Sequence, residues 1–342
     1  MLKNKNFKEL AKEYIDRYEL KLDGLNVMVP AIEQETFLAA AIAEMTGAAN
    51  IYMYDPKINI NQNTTTDEFN IKFVGSISAD LLSSLSIILK DSALPLKGDK
   101  IGCLAKKSSV ISLFPDNLDF IRPQTSAPEL FNQKDLSIIG PDPEDTKLGL
   151  YQRFSHIIVK RCHKLGIDIF KSRILLIGNG AFLNCTLSLL KSAGAIVYTY
   201  NTTSASDQSY VLKHLKELDA IITMDYPQTG KQLIGSKGII SISDIVDLCP
   251  QVKLLHICGK NEENSLKLGN INCFPKDIEQ EELTLHRKEL GERGITELTT
   301  ISLKIAENFL KSGKNTLHLD DSVVTYKLLN KTSSLLLGGK LG

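Results

Sequence analysis

Two hydrophobic rhythms alternate along this chain. One places apolar residues every three or four positions, as in Phe7, Leu10, Tyr14 and Tyr18, and predicts an amphipathic helix over residues 6–22. The other gathers them into short runs, such as Leu25-Asn26-Val27-Met28-Val29-Pro30, and predicts buried parallel strands. The two then take turns: a helix through Met45 ended by Gly47, strands at Ala49–Tyr54 and Ile71–Ile77, a helix at Ala79–Leu89, and a strand at Lys100–Ala105. Shorter apolar runs at Val110–Phe114 and Leu136–Ile139 complete a first α/β domain. Asn59–Asp67, rich in Asn and Thr, reads as a surface loop.

Gly140-Pro141-Asp142-Pro143-Glu144-Asp145-Thr146 breaks the pattern and marks a boundary. A helix at about Leu148–Leu165 follows, with Phe154, Ile157, Ile158 and Arg161 on one face. Beyond it the βα alternation resumes, with a helix at Val211–Leu218 and strands at Asp219–Met224, Gly238–Ile242, Lys253–Cys258 and Asn270–Phe274. Leu298, Ile301, Ile305 and Phe309 place one apolar stripe on a helix at 296–311, long enough to return to the first domain. Asp320-Asp321-Ser322 reads as the cap of a final helix, Val323–Leu337, whose Leu335-Leu336-Leu337 end suits core or a subunit contact. The pattern predicts two α/β domains, the second a Rossmann-type doubly wound parallel sheet, with a C-terminal helix returning to the first. The boundaries fall at 1–145, 146–292 and 293–342.

The densest signal is Arg173–Asn201. An apolar strand, Ile174–Ile177, meets Gly178-Asn179-Gly180, and a helical pattern of Phe182, Thr186, Leu189 and Leu190 follows. Gly194 ends that helix, and Ala195–Tyr200 forms a second β-type run. Strand, glycine turn, helix and strand make the first βαβ of a dinucleotide-binding fold. A helix N-terminus offers free N–H groups and a favourable dipole to phosphate, and Gly180 lets the backbone approach it without a Cβ in the way. The cofactor set is therefore Gly178, Asn179, Gly180, Ala181 and Phe182, with the strand end Asn201, Thr202 and Thr203 at the ribose. Two positions depart from the full fingerprint. Leu183 stands where a third glycine is usual, and Asn201 ends strand two in place of an acid. The neutral strand end tolerates a 2′-phosphate, so the expected cofactor is NADP or NAD. No arginine follows Asn201 to grip that phosphate.

Charge and cysteine use narrow the class. Lys plus Arg and Asp plus Glu balance at 40 each, which argues against a polyanion-binding surface and so against nucleic acid. The six cysteines are scattered without a C-x-x-C pair, no close Cys/His cluster suggests a metal, and no apolar run reaches membrane-spanning length. These features point to a soluble, cytoplasmic protein with reduced thiols.

Hydride chemistry on this fold needs one group to exchange a proton beyond the carboxyl ends of the strands. His256, on the apolar KLLHIC run, and Asp225, after the DAIITM run, are the candidates. His256 could equally be satisfied in the core, and Asp225 could be a turn residue before Pro227. Lys90-Asp91-Ser92 and Lys106-Lys107-Ser108-Ser109 could meet an acidic substrate or simply be solvated loops.

Taken together, the stretch from Leu150-Tyr151 through Gly178-Asn179-Gly180 to Gly194-Ala195 resembles the two-domain Rossmann superfamily of adenosylhomocysteinase and the D-2-hydroxyacid dehydrogenases. The resemblance implies a nucleotide site, a small-molecule substrate in an interdomain cleft and a homodimer. Catalytic residues do not carry over: Leu148-Gly149 occupies the place of adenosylhomocysteinase's Asp-Asn pair, Arg153 that of its cysteine, and Asn201 that of the ribose-binding acid. The resulting expectation is an NAD(P)-dependent oxidoreductase of a small metabolite. The alternatives are a catalytically silent nucleotide- or metabolite-binding relative and, last, an adenosylhomocysteinase-like hydrolase.

Overall fold

A computed structural model describes residues 5–31, 34–55, 57, 65–66, 69–90, 110–113, 137–142, 145, 148–204, 208–226, 228–262, 266–267, 269–276, 283–285, 287–313, 316–319 and 322–328. The chain divides into two compact units, Met1–Leu148 with Leu290–Gly342, and Gly149–Glu289.

The first unit is built on a mixed sheet. Its parallel centre runs β7 (Ser137–Pro141), β6 (Val110–Leu113), β5 (Ile87–Lys90), β1 (Asn26–Pro30), β2 (Asn50–Tyr54), β4 (Phe69–Val74). Antiparallel strands close both edges: β3 (Thr65–Thr66) beside β4, and β16 (Ser322–Leu328) with β15 (Thr316–Leu319) beside β7. Helices α1 (Lys5–Tyr18) and α2 (Gln34–Met45) contribute apolar faces to the core, as does the C-terminal helix Gly291–Ser312, which returns to this unit. One charged group is buried on that helix: Glu307, held by Lys304 at 2.9 Å and Lys311 at 2.5 Å.

Four sequence expectations change here or in the second unit. Thr65 and Thr66, expected within the Asn59–Asp67 loop, pair with β4 as the edge strand β3. The helix expected at Ala79–Leu89 stops as α3 (Ala79–Ser84), where the Ser83 and Ser84 hydroxyls turn back to the Asp80 and Leu81 carbonyls. Ile87, Ile88 and Leu89 then form the buried strand β5, since β-branched neighbours suit a central strand better than a helix. The final helix expected at Val323–Leu337 begins instead as strand β16, where Val-Val-Thr-Tyr follows β preference. Gly238–Ile242 is not a strand; the pairing segment is β11 (Gln232–Ile234), and Ile240 only bridges to Ile234. Lys100–Ala105, the Lys106–Ser109 loop, Asp91-Ser92 and Leu335–Leu337 lie outside the described residues.

The second unit carries a five-stranded parallel sheet in the order β14 (Asn272–Phe274), β12 (Lys253–Cys258), β10 (Ala220–Met224), β8 (Arg173–Gly178), β9 (Ile196–Asn201). By appearance in this unit, the strands lie 5-4-3-1-2, so the chain order reverses between β8 and β10. That is the switch point of a doubly wound sheet, beside which ligands bind. Helix α4 (Leu150–Lys164) packs on α5 (Gly180–Ser192), with the Ser155 and Thr186 hydroxyls 2.9 Å apart in a buried contact. From β9 the chain passes through α6 (Gln208–His214) and a 3-10 turn straight to β10 on the other side of β8. Helix α7 (Ile242–Leu248) follows β11 and opens with a Ser241–Asp244 capping box. The C-terminal helix Gly291–Ser312 of the first unit is α8.

Candidate functional site

Sheet register sets the site. Gly178 ends β8 level with Asn201 of β9 on one side and Met224 of β10 on the other. The next residue of each strand, Asn179, Thr202 and Asp225, therefore emerges in a row at the carboxyl end of the sheet. All three side chains are buried, and they bond to one another. Asn179 Nδ2 donates to Asp225 Oδ1 at 2.7 Å and to Thr202 Oγ1 at 3.0 Å, and the Thr202 hydroxyl donates to the same Asp225 oxygen. Asp225 Oδ2 accepts from the Thr229 backbone N–H and hydroxyl, both at 2.8 Å. The carboxylate is thus enclosed by donors on both oxygens, and it ties three strand ends and the loop after β10 together.

Glycine is required twice at this turn, for different reasons. A Cβ on Gly178 would lie 2.4 Å from the Met224 carbonyl oxygen, so the close approach of β8 and β10 demands its absence. Gly180 has φ +69°, and a Cβ there would meet nothing nearer than the Tyr226 carbonyl at 3.5 Å. Gly180 and Ala181 are exposed, and Asn179, though it stands at the N-cap of α5, makes no capping bond with its side chain. The helix start therefore presents amides that no N-cap side chain covers. This arrangement fits a pyrophosphate, which needs accessible N–H groups and no Cβ in the way.

Aromatic rings shield the flank of that turn. Tyr151 stacks on Phe182 at 5.3 Å between centroids, and Tyr226 meets both rings edge-on at 6.1 Å. Phe182 is one of the largest fully buried side chains, so only its backbone can serve a ligand at the helix start.

At the end of β9, the Asn201 carboxamide oxygen accepts from the Thr203 N–H at 2.9 Å and the Thr203 hydroxyl at 2.8 Å, forming a local turn. Thr202 N–H continues the ladder to the Gly178 carbonyl at 2.9 Å. Lys231, exposed and twenty-nine positions farther along, donates Nζ to the Thr202 carbonyl at 2.5 Å. Sequence reasoning missed this cation because it reaches the strand end from the loop after β10.

His256 lies beside Thr223 in register on the next strand, and it is fully buried. Its Nδ1 is 2.8 Å from Thr223 Oγ1 and 2.9 Å from Asn261 Nδ2. An amide nitrogen only donates, so in this assignment Nδ1 accepts and the proton sits on Nε2. That Nε2 and Asn261 Oδ1 have no partner among the described residues. Burial, and then the Arg161 charge, push the imidazole down to about 4, leaving it neutral near pH 7. Arg161 itself is buried and forked onto Glu289, at 3.0 and 2.5 Å, and it also bonds Thr284. Among the described residues no group of three or more His, Cys, Asp or Glu could hold a metal, and no helix is long and apolar enough to cross a membrane.

No family model matches this sequence, and no curated protein matches it. Solved structures do match it in fold. The A chain of dipicolinate synthase from Bacillus subtilis is 13% identical, with a TM-score of 0.50 over 86% of this chain and 97% of that one. A 2-hydroxyacid dehydrogenase from Ketogulonicigenium vulgare Y25 is 11% identical, with a TM-score of 0.49 over 90% and 99%. The NAD-complexed D-isomer specific 2-hydroxyacid dehydrogenase from Lactobacillus delbrueckii ssp. bulgaricus is 13% identical, with a TM-score of 0.47 over 84% and 98%. The chain is thus similar in fold to two-domain Rossmann-type proteins, in keeping with the resemblance carried by Leu150–Ala195.

Proposed function

We propose that this chain is an NAD(P)-dependent oxidoreductase acting on a small metabolite. The observation that carries the reading is the exposed start of α5 behind Gly180, where the N-cap side chain is turned away from the helix amides. In this reading Gly180 and Ala181 hold the pyrophosphate through backbone N–H groups, and Asn201 and Thr203 face the adenosine ribose, with buried Thr202 supporting them from beneath. When bound, the cofactor would supply or accept the hydride. Asp225 is a positioning residue, since Asn179 and Thr202 occupy one of its oxygens and Thr229 the other. His256 is the proposed polarising residue: its neutral Nε2–H, which no described group accepts, would donate a hydrogen bond to the substrate oxygen. The reading includes a homodimer, as the family resemblance implies. Incubation of the protein with NADH or NADPH and a panel of small 2-oxo acids, followed by nicotinamide absorbance, tests turnover. Substrate-dependent oxidation that His256→Gln removes supports the reading.

A second reading, a dinucleotide-binding protein without catalysis, is favoured by the complete burial of His256. Tight cofactor binding with no turnover on any member of the panel would select it.

A further inference from the structure

We infer that Lys231 is the residue that selects NADP over NAD, by holding the 2′-phosphate at the end of β9. The inference rests on the proposed dinucleotide site. The end of β9 is electrostatically unbalanced for an NAD site. Asn201 takes the place where an acid would bond the ribose hydroxyls and repel a phosphate, and its amide oxygen is already committed to Thr203. The repulsion is gone, but the sequence places no lysine or arginine between Asn201 and Lys213.

The fold supplies one. Thr229 is held by Asp225 through its N–H and its hydroxyl, which fixes the first half of the loop after β10. Gly230, at φ +76°, turns the chain in open space, and Lys231 then extends to the Thr202 carbonyl. That bond uses one of three ammonium protons. Lys231 is exposed and has no carboxylate partner among the described residues. The acid of the adjoining network, Asp225, is buried and enclosed by its own donors. A cation tethered to the Thr202 carbonyl at the end of β9, with two ammonium protons left unused, is the chemistry a phosphomonoester needs. An unphosphorylated ribose gains little from it.

The test is to titrate NADPH and NADH separately into wild type, Lys231→Ala and Lys231→Arg, following nicotinamide fluorescence at low and high salt. Wild type should prefer NADPH, and Lys231→Ala should weaken NADPH by about tenfold to a hundredfold while leaving NADH unchanged. Lys231→Arg should restore the preference, and salt should erode it. A preference for NADH in wild type, an unchanged ratio in Lys231→Ala, or an equal loss of both cofactors would overturn the assignment. An equal loss would make Lys231 a strut for Thr202. Binding of neither cofactor to wild type would remove the dinucleotide site itself, and the lysine's role with it.

Discussion

Asn179 stands at the N-cap of α5 yet gives its carboxamide to Asp225, 2.7 Å away, and not to the helix it precedes. An N-cap asparagine ordinarily satisfies one of the first helical amides. Here the side chain is recruited downward, into the row of residues that follows β9, β8 and β10. The consequence is an exposed helix start on a turn that is rigid beneath. Stability of the sheet end and availability of the amides are therefore coupled through one carboxylate.

That coupling gives the first prediction. Asp225→Ala strands the buried donors of Asn179 and Thr202 and the half-buried ones of Thr229, and should cost roughly 3–5 kcal/mol in urea denaturation. Asp225→Asn keeps the shape and loses part of the acceptor capacity, so it should fall between that variant and wild type. A loss below about 0.5 kcal/mol for Asp225→Ala would mean that the network does not hold the strand ends together.

The two glycines should separate by phenotype. Gly178→Ala drives a methyl group onto the Met224 carbonyl and should lower stability by about 1–3 kcal/mol. Gly180→Ala meets open space and carries only the strain of a left-handed residue, about 1–2 kcal/mol. Urea midpoints of the two variants, compared side by side, check this. No measurable cost for Gly178→Ala would contradict the packing account.

His256 predicts a pH dependence. Its folded value lies near 4 against an ordinary 6.5, so between those values the unfolded chain binds the proton and the native imidazole does not. Its contribution is complete above 6.5 and declines as pH falls toward 4, by roughly 3 kcal/mol in all. Unfolding free energies measured from pH 7.5 to 4 should show this slope, and His256→Gln should flatten it. An unchanged slope in the variant would assign the acid sensitivity to other groups.

Much of this was legible in the chain. The βαβ unit from Arg173 to Asn201 was readable because its strands are continuous apolar runs and its glycines sit where the period changes from strand to helix. Ile87–Leu89 and Val323–Tyr326 were misread because short apolar runs fit either periodicity, and there the β-branched residues should have decided. The contacts of Asn179, Thr202 and Asp225 depend on which strands are neighbours, a property of sheet order that no local spacing states. Aligning the three strand ends in the order 2-1-3 would have exposed the row. Lys231 is harder still: its position at β9 follows from a loop conformation fixed by Thr229 and Gly230, and nothing near Asn201 announces it.

The central claim is that a nicotinamide dinucleotide binds at the Gly180 turn. Calorimetric titration of NADPH and NADH into wild type and Gly180→Val addresses it most directly, with urea midpoints confirming that both proteins are folded. The account predicts saturable binding of at least one cofactor by wild type and none by the folded variant, because a branched side chain would stand where the phosphates approach the helix amides. Undiminished affinity in Gly180→Val, or no binding of either cofactor by wild type, would contradict it.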